Sequence, residues 1–287
     1  MRLRLTSAIL GLSLFVALTA VRAQADSCIG TCGTDTANGD VTLPPGFSSY
    51  LYVTTTGGPT AGGTLPGVFG SPGVSSTNGS TYTTSAFSAT AGELVNFEFN
   101  YVTSDGSGYP DYAWAALMST DGGTDYLIFS AQTQPTGNTV PGLTMPPLAP
   151  GTSLVPPTSP ITPGSGTSCS TSCNSPAGGP VWAEIGTYSG DCWAVGCGLT
   201  GWIDSEFIGE RADSYTLEFG VSNANDQAFD SGLAFAGVEV GGVPVTGATP
   251  EPSAFLLMLT GLGSLGLMMA VRKAKGLPNP HLNESRT

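Results

Sequence analysis

Three short segments hold the residues best equipped for chemistry: DGSGYPDYAWA at 105–115, GDCWAVGCGLTGW at 190–202 and DQAFDSGLAF at 226–235. Asp105, Asp111, Asp226 and Asp230 stand on Gly- or Asn-flanked stretches just ahead of apolar runs. Calcium takes about six to eight oxygen ligands, and flexible aspartate loops supply them. These four, with Asn223 or Asn225 beside them, are therefore candidate ligands of a structural calcium ion. Their spacing fits neither an EF-hand nor a repeat-type calcium loop. The competing reading makes them turn residues, because Asp and Asn side chains close Asx-turns on their own backbone.

Trp114, Trp193 and Trp202, with Tyr109 and Tyr112, offer a second chemistry. Exposed aromatic rings stack on sugar faces, so the three tryptophans are candidate sugar contacts. Tryptophan beside strands and disulfides is more often core. Exposure of all three on one face separates the two readings. Nucleophilic catalysis has little to work with. The only histidine is His281, and residues 26–249 contain no lysine, so Ser-His-Asp, Cys-His and Ser-Lys systems are unavailable. Carboxylates for glycoside cleavage are plentiful, but nothing in their spacing pairs two across a cleft. The expectation is a protein that is not an enzyme.

Charge narrows the partners. Residues 26–249 carry nineteen carboxylates against the single Arg211, a formal balance of −18, while the whole chain stands at −13. Such a polyanion repels phosphate backbones, which makes nucleic acid a poor partner. Cations and neutral or basic ligands remain, as does simple solubility. All six cysteines fall in the same region as close couples: Cys28 with Cys32, Cys169 with Cys173, and Cys192 with Cys197. Pairing within couples is the simplest arrangement, though six cysteines allow fifteen connectivities. A zinc site lacks a histidine to complete it.

The elements that must position these residues read as β-structure. Gly, Ser, Thr and Pro dominate 26–249, and β-branched and aromatic residues come in short clusters. The composition predicts an all-β fold, a jelly-roll-like β-sandwich with long Pro/Gly/Ser/Thr-rich loops. Strands are expected at 49–55, 82–87, 94–103, 112–118, 126–133, 182–187, 202–208, 214–222 and 232–240. Two show period-two alternation most clearly: Val95, Phe97, Phe99 and Tyr101 share one face, as do Tyr215, Leu217, Phe219 and Val221. Residues 27–39 read as a disulfide-pinned loop. Residues 134–180, with Pro146-Pro147 and Pro156-Pro157, read as a long loop inserted within one sandwich, the alternative being a linker between two small ones.

Both ends carry targeting patterns. Residues 1–25 have a basic start, a short apolar run and small residues at Ala23 and Ala25, the pattern of a secretory signal peptide. At the other end Pro250, Glu251 and Pro252 precede an uncharged apolar run at 254–271, then Arg272, Lys273 and Lys275. That run is long enough for a transmembrane helix, and the basic cluster belongs on the cytoplasmic side. The ordered unit at 250–275 resembles the PEP-CTERM sorting signal of Gram-negative bacteria. The resemblance implies processing by an exosortase near the PEP motif, transient anchoring in the inner membrane, and release to the cell surface or an exopolysaccharide matrix. The tail at 276–287, which this topology leaves cytoplasmic, departs from that family's abrupt basic ending. The segments DGSGYPDYAWA, GCGLTGW and DSGLAF also resemble a series found in a group of PEP-CTERM-bearing β-sandwich proteins with no established activity. The expected role is a surface or matrix protein with a structural or adhesive task, and the alternative is an exopolysaccharide-binding module.

Overall fold

The computed structural model describes residues 25–106, 108–167 and 178–246. In chain order the strands are β1 (Ser27–Ile29), β2 (Thr31–Asp35), β3 (Tyr50–Thr54), β4 (Ser76–Thr83), β5 (Phe87–Ala89), β6 (Leu94–Thr103), β7 (Tyr112–Ser119) and β8 (Tyr126–Gln132). They continue with β9 (Asn138–Val140), β10 (Thr152–Val155), β11 (Ser159–Pro160), β12 (Gly198–Leu199), β13 (Ile203–Ile208), β14 (Asp213–Ala224), β15 (Ser231–Val240) and β16 (Val243–Pro244). The first sheet has the order β1-β4-β14-β7-β8, with β5 also on β14. The second runs β10-β13-β6-β15-β3-β2, with β12 on β6 and β16 on β15, and β9 pairs separately with β11. Every pairing among the described residues is antiparallel.

The two sheets share one core. Ala115, Leu117, Phe219 and Val221 come from the first sheet, and Phe97, Phe99, Leu233 and Phe235 from the second. Phe219 stacks on Phe235 with ring centroids 3.9 Å apart, and meets Phe97 edge-on at 5.0 Å. Each ring so buried contributes about 1.5–3 kcal/mol of transfer free energy. The alternating faces of β6 and β14 point into this core as their period-two patterns predict.

Near one end of the sandwich the alternation disappears, because both faces of the strands are covered. Val41, Tyr50, Trp182 and Ile185 form a smaller cluster with Val102 and Ala234 of the second sheet. Leu65 and Met145 cover Tyr112, Trp114 and Ala116 of the first. Residues 100–103, 220–224 and 231–236 are consequently buried on both sides.

Several expected boundaries change. The stretch at 182–187 is a 3-10 turn, Ala183–Tyr188, not a strand. Its buried apolar residues, Trp182 and Ile185, stand three apart, which suits a 3-10 turn rather than a pleat. The strand expected at 82–87 is two strands, β4 and β5, with a break at Thr84. There the Leu217 N–H donates to Thr84 Oγ1 at 2.9 Å, and the side chain replaces a ladder carbonyl. The 27–39 segment contributes β1 to one sheet and β2 to the other, and the Cys28–Cys32 disulfide ties these two strands together. The 134–180 segment is not merely a loop. Its β10 is the edge strand of the second sheet, in register with β13 from Thr152 opposite Phe207 to Val155 opposite Asp204.

Among the described residues no helix is long and apolar enough to cross a membrane. The signal peptide, Cys169 with Cys173, Pro250-Glu251-Pro252, the apolar run at 254–271 and the tail lie outside the described residues.

Candidate functional site

Antiparallel connectivity delivers the three chemistry-bearing segments to the same end of the sandwich. β6 ends there at Thr103 and β7 begins at Tyr112; β14 ends at Ala224 and β15 begins at Ser231. Ser231 is paired with Thr103, and Ser222 with Tyr112, so the loops at 104–111 and 225–230 leave neighbouring strand ends. The 190–197 loop joins them through the Trp193 N–H, which donates to Ser104 O at 2.9 Å. Gly106 lies so close to the Ala194 backbone that a Cβ there would overlap it, which explains glycine at this point of the segment. The Cys192–Cys197 disulfide closes the third loop.

A buried polar floor lies beneath these loops. Asp111 is fully buried and engaged on both oxygens: the Ala224 N–H donates to Oδ1 at 2.8 Å, and the Ser231 hydroxyl to Oδ2 at 2.6 Å. Asp230 is held in the same way by the hydroxyls of Thr55, at 2.8 Å, and Thr56, at 3.0 Å. Asp105 differs. Its Oδ1 accepts the Gly106 N–H at 2.7 Å, but Oδ2 is buried with no partner among the described residues, and the residue is only 1% exposed.

Above this floor sits a cavity of about 170 Å³ lined by Asp105, Tyr109, Trp193, Asp226, Ala228 and Phe229. Its walls are aromatic. Trp193 meets Tyr109 edge-on at 6.3 Å and Phe229 at 5.2 Å, and Tyr188 backs Phe229 at 4.8 Å. Asp226 is half-buried at the rim, and its Oδ1 accepts the Ala228 N–H at 3.0 Å. The loop is conformationally unusual, with Asn225 at φ 72° and Phe229 at φ 56°. Asparagine tolerates this left-handed region, whereas for phenylalanine it costs on the order of 1 kcal/mol or more. The flanking rings of Trp193 and Tyr188 hold Phe229 there.

Asp105 on the cavity and Asp111 below it resist ionisation. Burial pushes the Asp105 carboxyl up to about 8, against the Gly106 hydrogen bond, and the Asp226 charge acts in the same direction. Burial and then the Asp105 charge raise Asp111 well above the ordinary carboxylate range.

The four aspartates therefore converge on one end of the fold but do not form one ion site. Asp111 and Asp230 already have their oxygens occupied by protein donors. Among the described residues no three His, Cys, Asp or Glu side chains are placed to hold a metal ion together. The three tryptophans separate completely. Trp114 is fully buried on the first sheet, which removes it as a sugar contact. Trp202 is half-buried on the second sheet beside Tyr50, and its indole donates to Thr42 O at 2.8 Å. Only Trp193 lines the cavity. Phe229 and Tyr188 were not legible as site residues, since neither sits in an alternating run.

Replacing Cys192 and Cys197 together by serine is expected to lower stability by about 2 kcal/mol, the entropy of a short closed loop. It should also loosen Trp193, which intrinsic fluorescence would report as a red shift. An unshifted spectrum would show that the disulfide does not position the ring. No family model matches the chain, and neither a curated protein nor a solved structure shows a significant likeness to it.

Proposed function

We propose that this chain is an exported cell-surface or matrix protein with a structural, adhesive role, and that it holds exopolysaccharide through the cavity at the end of its sandwich. The cavity carries the reading: a half-buried tryptophan, a tyrosine and two carboxylates face one small space, the combination that stacks on a pyranose ring and hydrogen-bonds its substituents. A second cavity of about 310 Å³ lies across the 108–110 turn and Asn225, with Gln132, Gln134 and Thr144 on its wall. It gives a longer chain somewhere to continue. The repeated passage of consecutive strands from one sheet to the other supports a jelly-roll-like topology, a scaffold well suited to loop-borne ligand sites.

The sorting part of the proposal rests on Pro250, Glu251 and Pro252, the apolar run at 254–271 and the basic residues behind it, read as a substrate signal for an exosortase. Mass spectrometry of surface-located protein should find the chain ending near the PEP motif; a retained apolar run would overturn this. The proposed role is non-catalytic, because no histidine or lysine accompanies the cavity carboxylates among the described residues. The test is retention of the full chain on immobilised exopolysaccharide. Wild type is expected to bind and Trp193→Ala to lose about tenfold or more in affinity, as truncation of a central aromatic anchor does. Equal retention of both proteins would sink the site assignment, and release of reducing sugar would sink the non-catalytic reading.

A further inference from the structure

We propose that the ligand group taken by this cavity is the protonated amine of an amino sugar, its ring against Trp193 and its ammonium beside Asp105 and Asp226. The inference rests on the sugar-binding reading and names the class of sugar.

The floor of the cavity sets the requirement. Asp105 Oδ2 is a buried acceptor with no donor among the described residues, and a buried polar group left so is costly. A ligand that enters must supply that donor. Asp226 stands at the rim of the same space, and Asp111 lies beneath. Among the described residues no cation answers them. Arg211 is the only Lys, Arg or His among the described residues, and it lies between β13 and β14, at the far end of the sandwich from Ala224. A neutral hydroxyl would satisfy the hydrogen bond but would not offset the Asp226 charge at the rim. An ammonium answers both demands, and the aromatic lining of Trp193, Tyr109 and Phe229 favours a cation as well.

A bare metal ion fits less well, because aromatic carbon rather than oxygen makes up most of the wall. Size limits the ligand to one ring or head group. Pockets for larger ligands run to about 300–1,000 Å³, well above the 170 Å³ found here.

Protonation then couples to binding. With its carboxyl pushed up to about 8 by burial, Asp105 holds a proton at neutral pH in the free protein. The ammonium pairs with the ionised form, so the carboxylic proton leaves to solvent as the ligand enters. Affinity should rise about tenfold per pH unit below 8, and fall again once the amine itself loses its proton.

The test titrates three short oligosaccharides into the full chain held in mild detergent: a glucosamine trimer, its fully N-acetylated counterpart and a neutral glucose trimer. The glucosamine trimer is expected to bind about tenfold or more tighter than the other two, with an enthalpy that changes with the ionisation enthalpy of the buffer. Asp105→Asn should abolish the preference, and Asp226→Asn, at the half-exposed rim, should weaken it. Asp121→Asn, on the exposed β7–β8 turn, should keep it. Equal affinity for all three sugars overturns the ammonium inference and leaves the sugar reading standing. No binding of any of them sinks both. A preference that survives in folded Asp105→Asn and Asp226→Asn proteins assigns it to bulk negative charge and also overturns the inference.

Discussion

Raising the pH from about 4 to 8 is expected to destabilise the folded domain, the reverse of ordinary acid denaturation. The unfolded chain releases the Asp105 proton near pH 4, the usual carboxylate value. The folded chain keeps it until about pH 8, because burial disfavours the charged form. Between these limits the native state binds more protons than the unfolded one, so stability falls as pH rises. One such group contributes about 1.4 kcal/mol per pH unit, and Asp105 alone accounts for on the order of 5 kcal/mol across the window. Asp111 is shifted the same way by burial and by the Asp105 charge. Burial likewise raises Glu218 and Glu98. Asp40 opposes them: against its burial, hydrogen bonds from Ser165 and Val181 hold it below its ordinary value. The upward shifts outnumber it and involve the more deeply buried groups. Urea unfolding at a series of pH values should give the highest midpoint near pH 4–5 and a steady decline to pH 8. Asp105→Asn should flatten the decline and exceed wild type at pH 8. A midpoint that climbs from pH 4 to 8 would mean these carboxyls are ionised throughout and the cluster is held by other means.

How far the sequence revealed this arrangement depends on the residue. β6 was legible because Val95, Phe97, Phe99 and Tyr101 alternate with Asn96, Glu98 and Asn100, and only a pleat with one buried face produces that order. The turn at 183–188 was not. Trp182 and Ile185 resemble the beginning of a strand unless it is known that Gly186, at φ 61°, turns the chain. The site was legible as a group of segments but not as a set of roles. Asp105, Asp111, Asp226 and Asp230 look alike in sequence. They are separated by donors contributed from far along the chain, such as the Ala224 N–H on Asp111, 113 residues away, and the Thr55 hydroxyl on Asp230, 175 residues away. No local pattern encodes which carboxylate is left with an empty oxygen.

Trp114 makes the same point and carries the second large effect. Replacing it by alanine is expected to cost about 3–5 kcal/mol, a large share of a domain stability of about 5–15 kcal/mol. In β7 the small residues Ala113 and Ala115 face the sandwich core, while Tyr112, Trp114 and Ala116 face outward. Alternation alone would leave Trp114 on a solvent-facing surface, where a sugar could reach it. The cover over that surface comes from Leu65 and Met145, on loops distant in sequence, and beneath it the indole lies across Gly220 of β14. A Cβ at position 220 would meet the ring itself, so tryptophan and glycine are fitted to each other. The indole N–H also donates to Glu218 Oε1 at 3.3 Å, on a carboxyl that burial already raises. Trp114→Ala thus opens a cavity and leaves Glu218 without its donor, and the two losses add. Gly220→Ala should also destabilise, by about 1–3 kcal/mol, through overpacking against the same ring. Urea unfolding measures both variants. Saccharide titration at a temperature where Trp114→Ala is folded should give wild-type affinity, since its ring lies outside the cavity bounded by Trp193 and Asp105. A fall in affinity without a fall in stability would return Trp114 to the ligand.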